Sequence, residues 1–153
     1  MLKCIAMRLS QWRALAPEKR GVLLAAAGLL PVFWIALRVL GLARFHSMLS
    51  RRPLRASTML VPDAFAVAEQ VNRAARHSFL PATCLTRSLL LGWLLRRQGI
   101  SSELRIGVRM ADGQFQAHAW LECGGVPVND TMGAIREFAV FDQPSCAASF
   151  RFS

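Results

Sequence analysis

Three residues with the chemistry of a cysteine nucleophile follow one another along the chain: a thiol at Cys84, an imidazole at His118 and a carboxylate at Asp130. In enzymes of this kind a thiolate attacks a carbonyl, an imidazole moves the proton, and a carboxylate orients the imidazole. The residue types and their order therefore predict acyl transfer through a Cys-His-Asp triad. The stretch that carries them, residues 81–130, is the part of the chain that the other elements must position.

The sequence around Cys84 predicts a helix that begins at this residue. Thr83 is a good N-cap, the leucine-rich segment that follows predicts a helix as far as Gln98, and Gly99 suits the left-handed stop position. Unpaired N–H groups at the start of a helix favour a thiolate, and the backbone N–H of Cys84 would be the first donor to an oxyanion. The alternative is a structural cysteine, since free cysteines are commonly buried.

His118 lies in the second of two predicted strands. Apolar and polar residues alternate over residues 103–110 and 115–122, and an Asp-Gly pair between the two ranges predicts a hairpin turn. The alternation puts His118 on the same face as Gln116 and Trp120. A lone histidine in a strand is commonly structural. The position of His118 after a cysteine at a helix N-terminus nevertheless favours a catalytic role.

The turn after the second strand decides whether Asp130 reaches His118. A three-residue loop over residues 123–125 places the two residues opposite each other, with Cβ atoms about 4.5–5.5 Å apart. A two-residue turn at Gly124 and Gly125 would move Asp130 to the other face of the sheet. We expect the three-residue loop, and Asn129 is the alternative orienting residue.

The other site candidates support the triad rather than form it. Gln116 is a candidate second oxyanion donor because it precedes His118 by two residues on the same face, and Thr83 and Trp120 are further oxyanion or supporting candidates. The cysteines and histidines lack paired metal-ligand spacing, and no nucleotide-binding motif occurs. We therefore expect neither a metal nor another cofactor.

The N-terminal third of the chain is strongly basic, within a formal net charge of +10. Seven basic residues and no acidic one lie between Glu18 and Asp63: Lys19, Arg20, Arg38, Arg44, Arg51, Arg52 and Arg55. Such a surface attracts anionic lipid, nucleic acid or an acidic protein. Because few aromatic residues for base stacking are interleaved with these charges, nucleic acid is not the expected partner.

The same region is apolar between its charges. Residues 21–37 carry none, but Gly28 and Pro31 weaken the middle of the segment. We expect two apolar helices that meet near Pro31, the second reaching Leu49, and that dock on a partner or on a membrane surface. A membrane-spanning helix and an ordinary core helix are the alternatives.

The length and the proline-containing basic segment 50–62 predict two parts. Residues 1–55 would form an apolar, basic helical region, and residues 56–153 the domain with the triad. Within the second part we expect an amphipathic helix over 63–78, a further strand near 138–141 and a tail after 144. Four irregularly spaced cysteines and a charged N-terminus predict reduced thiols and a cytoplasmic protein, with membrane association open.

Several stretches resemble the lasso-peptide B proteins: Thr83-Cys84-Leu85, the helix end over 94–100, the strand over 104–108 and residues 117–122. More narrowly, the chain is similar to the stand-alone B2 leader peptidases, which are transglutaminase-like cysteine proteases. The resemblance implies an α+β, papain/transglutaminase-like fold in which a central helix carries the cysteine and packs on a small antiparallel sheet. It also implies that the triad falls on Cys84, His118 and Asp130.

The activity that the resemblance implies is removal of the leader from a ribosomally made precursor, so that a separate lasso cyclase can close the ring. No leader-recognition domain is evident before residue 63, so we expect a separate B1-type leader-binding protein as a partner. Two alternatives stay open. One is a transglutaminase-like acyl transferase with an amine acceptor, and the other is a non-catalytic basic module that binds membranes or partners.

Overall fold

In the part of the chain that the structure describes, four helices precede an antiparallel sheet. The computed structural model describes residues 16–50, 61–140 and 150–152. In chain order the elements are α1 (Pro17–Leu40), α2 (Leu42–Ser50), α3 (Val61–Arg76), α4 (Cys84–Arg97), β1 (Ser102–Ala111), β2 (Gln114–Cys123), β3 (Val126–Pro127), α5 (Met132–Ile135), β4 (Ala139–Val140) and β5 (Phe150–Phe152). The boundary predicted near residue 55 lies outside the described residues.

Helix α4 begins at Cys84, as predicted. The Thr83 Oγ1 accepts a hydrogen bond from the backbone N–H of Thr86 at 3.2 Å, which caps the helix. Beyond its last residue, Gly99 has a φ of 80° and lets the chain turn away. The leucines of α4 are almost all buried, and the helix packs against α1, α3 and the β1–β2 hairpin. Its position is therefore fixed on several sides.

The strands form an antiparallel sheet in the order β3-β2-β1-β4, and β5 pairs with the start of β1 on the same edge as β4. The hairpin between β1 and β2 turns at Asp112 and Gly113, which both have positive φ, so this prediction is confirmed. Its register places Gly107 opposite His118. The predicted α+β architecture, in which a central helix carries the cysteine and packs on a small antiparallel sheet, is confirmed, whereas the predicted tail is wrong for residues 150–152, which form a strand.

The N-terminal helices differ from the prediction at Pro31. Helix α1 continues through this proline to Leu40, and the chain breaks at Gly41, where φ is 73°. The neighbouring Leu30 and Phe33 are buried, and the Phe33 ring lies 5.9 Å from the ring of Trp93 on α4. Packing of the residues on both sides of Pro31 offsets the loss of the one backbone hydrogen bond that a proline removes, and the helix continues.

One hydrophobic core runs from α1 to the sheet. It includes Leu30 of α1, Val71 of α3, the leucines of α4, and Ala119 and Leu121 of β2. Because alternate residues of a strand point to opposite faces, His118 and Trp120 lie on the face of β2 away from this core cluster. The site histidine therefore stands on a strand whose other face is anchored to the helices.

Candidate active site

A short hydrogen bond joins two of the predicted site residues. The Nε2 atom of His118 and the Oδ2 atom of Asp130 lie 2.6 Å apart, and both side chains are about four-fifths buried, with exposures of 20% and 23%. With Nε2–H donating to the carboxylate, the neutral ring presents Nδ1 as an acceptor. Nδ1 makes no hydrogen bond within the described residues. The imidazole is therefore oriented to take a proton at Nδ1.

The turn that precedes Asp130 is shorter than predicted. It contains two residues, Gly124 and Gly125, with φ of 58° and 79°, and Cys123 pairs with Val126 across it. The expected three-residue loop is therefore wrong. Consecutive positive φ values belong to the tight hairpin turns whose twist matches that of the strands, and glycine adopts them without steric cost.

Asp130 reaches His118 because the third strand ends early. After β3 the chain bends at residues 128–130. The backbone N–H of Val128 still donates to the Leu121 carbonyl at 2.9 Å, but the Leu121 N–H donates to the Oδ1 of Asn129 at 2.8 Å. A side chain thus replaces the next backbone acceptor of the ladder. The alternation of faces applies only while a strand continues, so the bend turns Asp130 back to the histidine.

Asn129 also ties this bend to the helices. Its Nδ2 donates to the Oγ of Ser88 on α4 at 2.9 Å, and that Oγ donates to the carbonyl of Ala119 at 3.1 Å. From α3, the Nδ2 of Asn72 donates to the Asn129 carbonyl at 3.1 Å. Asn129, predicted as an alternative partner of the imidazole, instead holds the backbone that carries Asp130.

Sequence reasoning missed Ser88. Its signal was a hydroxyl four residues after Cys84, hence on the same helix face, at the start of the apolar run over residues 89–91. It is fully buried, and it joins α4 to the strand residue next to His118. A buried polar side chain in such a helix needs a partner, and here the partner is the sheet.

Cys84 occupies the first turn of α4 as a half-buried free thiol. One helical turn, about 5.4 Å, separates it from Ser88, which contacts the residue after His118. The structure thus brings His118 and Asp130 together and places Cys84 on the adjoining helix. The thiol makes no hydrogen bond to His118 within the described residues.

The other described cysteine is unsuited to nucleophilic chemistry. Cys123 at the end of β2 is only 1% exposed, and this burial raises the pKa of its thiol to about 11. It therefore stays protonated near neutral pH, and a protonated thiol is a poor nucleophile. Within the described ranges, Cys84 is the cysteine with access to a substrate. No group of three histidine, cysteine or acidic residues there could hold a metal ion.

Aromatic rings pack beside the His118 imidazole. The Trp120 ring stacks at 6.1 Å between centroids and the Phe138 ring lies at 5.2 Å. The indole N–H of Trp120 donates to Glu122 at 2.8 Å, so this predicted candidate has its only polar hydrogen engaged and supports the ring instead. A Cβ at Gly107 would lie 2.9 Å from the Cβ of Phe138, so this packing needs a glycine there.

A cavity of about 240 Å³ opens beside the histidine. It is lined by Arg109, His118, Asp130, Gly133, Ala134, Glu137 and Phe138. Arg109 pairs with Glu137 and donates through Nε to the Oε1 of Gln116 at 2.9 Å. Gln116, the candidate oxyanion donor, is thus held by Arg109, and Thr83 serves as the cap of α4. Cys84 does not line this cavity.

The comparison with known families supports the architecture described here. A profile described as the Transglutaminase-like superfamily matches residues 27–142, which is most of the chain and includes Cys84, His118 and Asp130. No curated protein and no solved structure matches the sequence. Members of this superfamily are typically cysteine hydrolases and transferases. The chain belongs to the transglutaminase-like superfamily.

Proposed function

We propose that the protein is a cysteine peptidase that removes the leader from a ribosomally synthesised lasso-peptide precursor, with Cys84, His118 and Asp130 as its triad. The observation that carries the proposal is the 2.6 Å hydrogen bond from His118 to Asp130 in a chain of this superfamily, beside a helix that begins with a cysteine. The substrate class comes from the sequence resemblance to the stand-alone leader peptidases.

In the first half of the reaction, Nδ1 of His118 takes the proton of the Cys84 thiol. The thiolate attacks the carbonyl of the scissile peptide bond, and the oxyanion that forms accepts a hydrogen bond from the backbone N–H of Cys84 at the helix N-terminus. The imidazolium then gives its proton to the leaving amine, and a thioester remains on Cys84. Asp130 holds the His118 ring in the tautomer that carries its proton on Nε2, and it offsets the positive charge of the imidazolium.

In the second half, water attacks the thioester while Nδ1 of His118 takes one of its protons. The C–S bond breaks, the thiolate is reprotonated and the leader leaves as a carboxylate. The thiol must approach the imidazole for this chemistry. The Cys84 side chain can turn toward the imidazole, because no preceding helical turn restricts its χ1 rotamer. Catalytic hydrogen bonds also commonly tighten only when substrate binds.

The proposed partners follow from the same resemblance. A separate B1-type protein would present the leader, the lasso cyclase would take the released core peptide, and both would meet this protein in the cytoplasm. The N-terminal region, residues 1–55, is proposed to dock on a partner protein or on a membrane surface. An acyl transferase that resolves the same thioester with an amine is the second candidate, since the superfamily includes transferases as well as hydrolases.

The test is incubation of the full chain with a precursor peptide and its leader-binding protein, followed by mass spectrometry. Wild type is expected to yield leader and core, whereas Cys84→Ala yields neither. Cys123→Ala is the matched control, because it removes the other described cysteine and should leave cleavage intact. Cleavage that persists in Cys84→Ala would overturn both enzymatic proposals. An amine adduct on the leader, formed in preference to the free carboxylate, would establish the transferase instead.

A further inference from the structure

Helix α1 carries an apolar stripe that nothing in the described structure covers. Its side chains recur at helical spacing and are between 52% and 75% exposed: Leu24, Val32, Ile35 and Val39. At 100° per residue they fall within roughly a quarter of the helix circumference and extend for about 22 Å along the axis. A continuous exposed stripe of this length marks an interaction surface rather than scattered surface hydrophobics.

The opposite face of α1 packs into the hydrophobic core. Ala26, Leu30 and Phe33 are at most 5% exposed and belong to the core shared with α3 and α4. They lie roughly half a turn around the helix from the stripe.

Helix α1 is 24 residues long, and its most apolar part has a mean hydropathy of 2.2, so by length and composition it could cross a membrane. Spanning would require the helix to leave this core.

Basic residues lie beside the stripe, and they favour a negatively charged partner. Arg20 and Arg38 fall together on one flank of α1, and the Arg38 guanidinium lies 4.9 Å from the ring centre of Trp34 on the same side of the helix. After Gly41, Arg44 and Met48 of α2 are also exposed. No acidic residue occurs between Glu18 and Asp63.

We propose that this face of α1 binds the surface of anionic lipid bilayers, with the helix lying in the plane of the interface. Exposed apolar side chains would enter the boundary between headgroups and acyl chains, and the basic flank would meet the lipid phosphates. Trp34, with an apolar body and a polar N–H, suits the headgroup level. The core contacts of Leu30 and Phe33 are kept, so the catalytic domain would rest on the membrane intact.

The experiment is co-sedimentation of the full chain with vesicles. Wild type is expected to bind vesicles of phosphatidylcholine mixed with phosphatidylglycerol, to bind phosphatidylcholine alone much more weakly, and to be released as salt rises to about 0.5 M. The triple variant Val32→Gln, Ile35→Gln and Val39→Gln is expected to bind roughly tenfold more weakly or worse, because it removes apolar side chains that would enter the bilayer. Its exposed substitutions leave the core untouched.

The matched control is Met110→Gln with Phe115→Gln, which removes two side chains of similar exposure, 67% and 66%, at the distant hairpin. It is expected to bind like wild type. Equal binding by the triple variant would overturn the proposal, as would a wild type that stays in the supernatant. A wild-type dimer that the triple variant dissociates, measured by light scattering, would show that a second copy covers the stripe. Resistance to alkaline carbonate extraction would show a spanning helix instead.

Discussion

Replacing Asn129 by alanine is expected to destabilise the bend that carries Asp130. The substitution removes the acceptor of the Leu121 N–H and the donor to the Ser88 Oγ, which are bonds of 2.8 and 2.9 Å. Because Leu121 is fully buried, its unpaired N–H costs about 1–3 kcal/mol, and the lost bond to Ser88 adds about 1 kcal/mol. The free energy of unfolding should fall by roughly 2–4 kcal/mol, which lowers Tm by roughly 5–15 °C.

Two measurements follow this loss. Urea unfolding gives the change in free energy, and the proton NMR signal of the His118 ring N–H reports its hydrogen bond to Asp130. We expect the signal to disappear in Asn129→Ala and precursor cleavage to fall by roughly tenfold or more. The control Asn72→Ala removes the bond to the Asn129 carbonyl and the acceptor of the Arg87 guanidinium but leaves the Asn129 side chain in place, so the ring signal should persist although stability falls by about 1–3 kcal/mol. Wild-type stability and an unchanged ring signal in Asn129→Ala would refute the reasoning.

Three further predictions concern buried groups. Burial raises the pKa of the Cys123 thiol to about 11, so the folded state binds the thiol proton more tightly than the unfolded state does. The free energy of unfolding should therefore fall by roughly 2–3 kcal/mol as pH rises from about 9 to 11. Urea titrations of Cys123→Ala should lack this pH dependence. Burial and Arg96 lower the pKa of His46, so stability should fall as pH drops below 6.5, and less so in His46→Gln. Gly107→Ala should cost about 1–3 kcal/mol in thermal unfolding, whereas Gly28→Ala, in open space, should cost nothing.

The features that sequence predicted correctly depend on neighbouring residues. Thr83 caps the helix that begins at Cys84, and Asp112 with Gly113 turns the hairpin, because capping and turn geometry are decided within about four residues. The alternation along β2 correctly placed His118 and Trp120 on one face. These local signals were enough to identify the helix and the strand of the candidate site.

The features that sequence did not predict depend on contacts between distant parts of the chain. Pro31 does not end α1, because Leu30 and Phe33 are packed against other helices. The turn before Asp130 is one residue shorter than expected, and the contact with His118 exists only because Asn129 bends the chain. No periodic pattern in the sequence predicts that a side chain will replace a backbone hydrogen-bond acceptor.

The central claim is that His118, held by Asp130, activates the thiol of Cys84, and its most direct test is the rate at which iodoacetamide alkylates Cys84 near neutral pH. Peptide mass mapping would compare wild type with His118→Ala and Asp130→Asn, and buried Cys123 should stay unmodified in all three while they remain folded. The account predicts alkylation of Cys84 that is roughly tenfold slower or more in His118→Ala, with Asp130→Asn between the two. Equal rates in wild type and His118→Ala would contradict it.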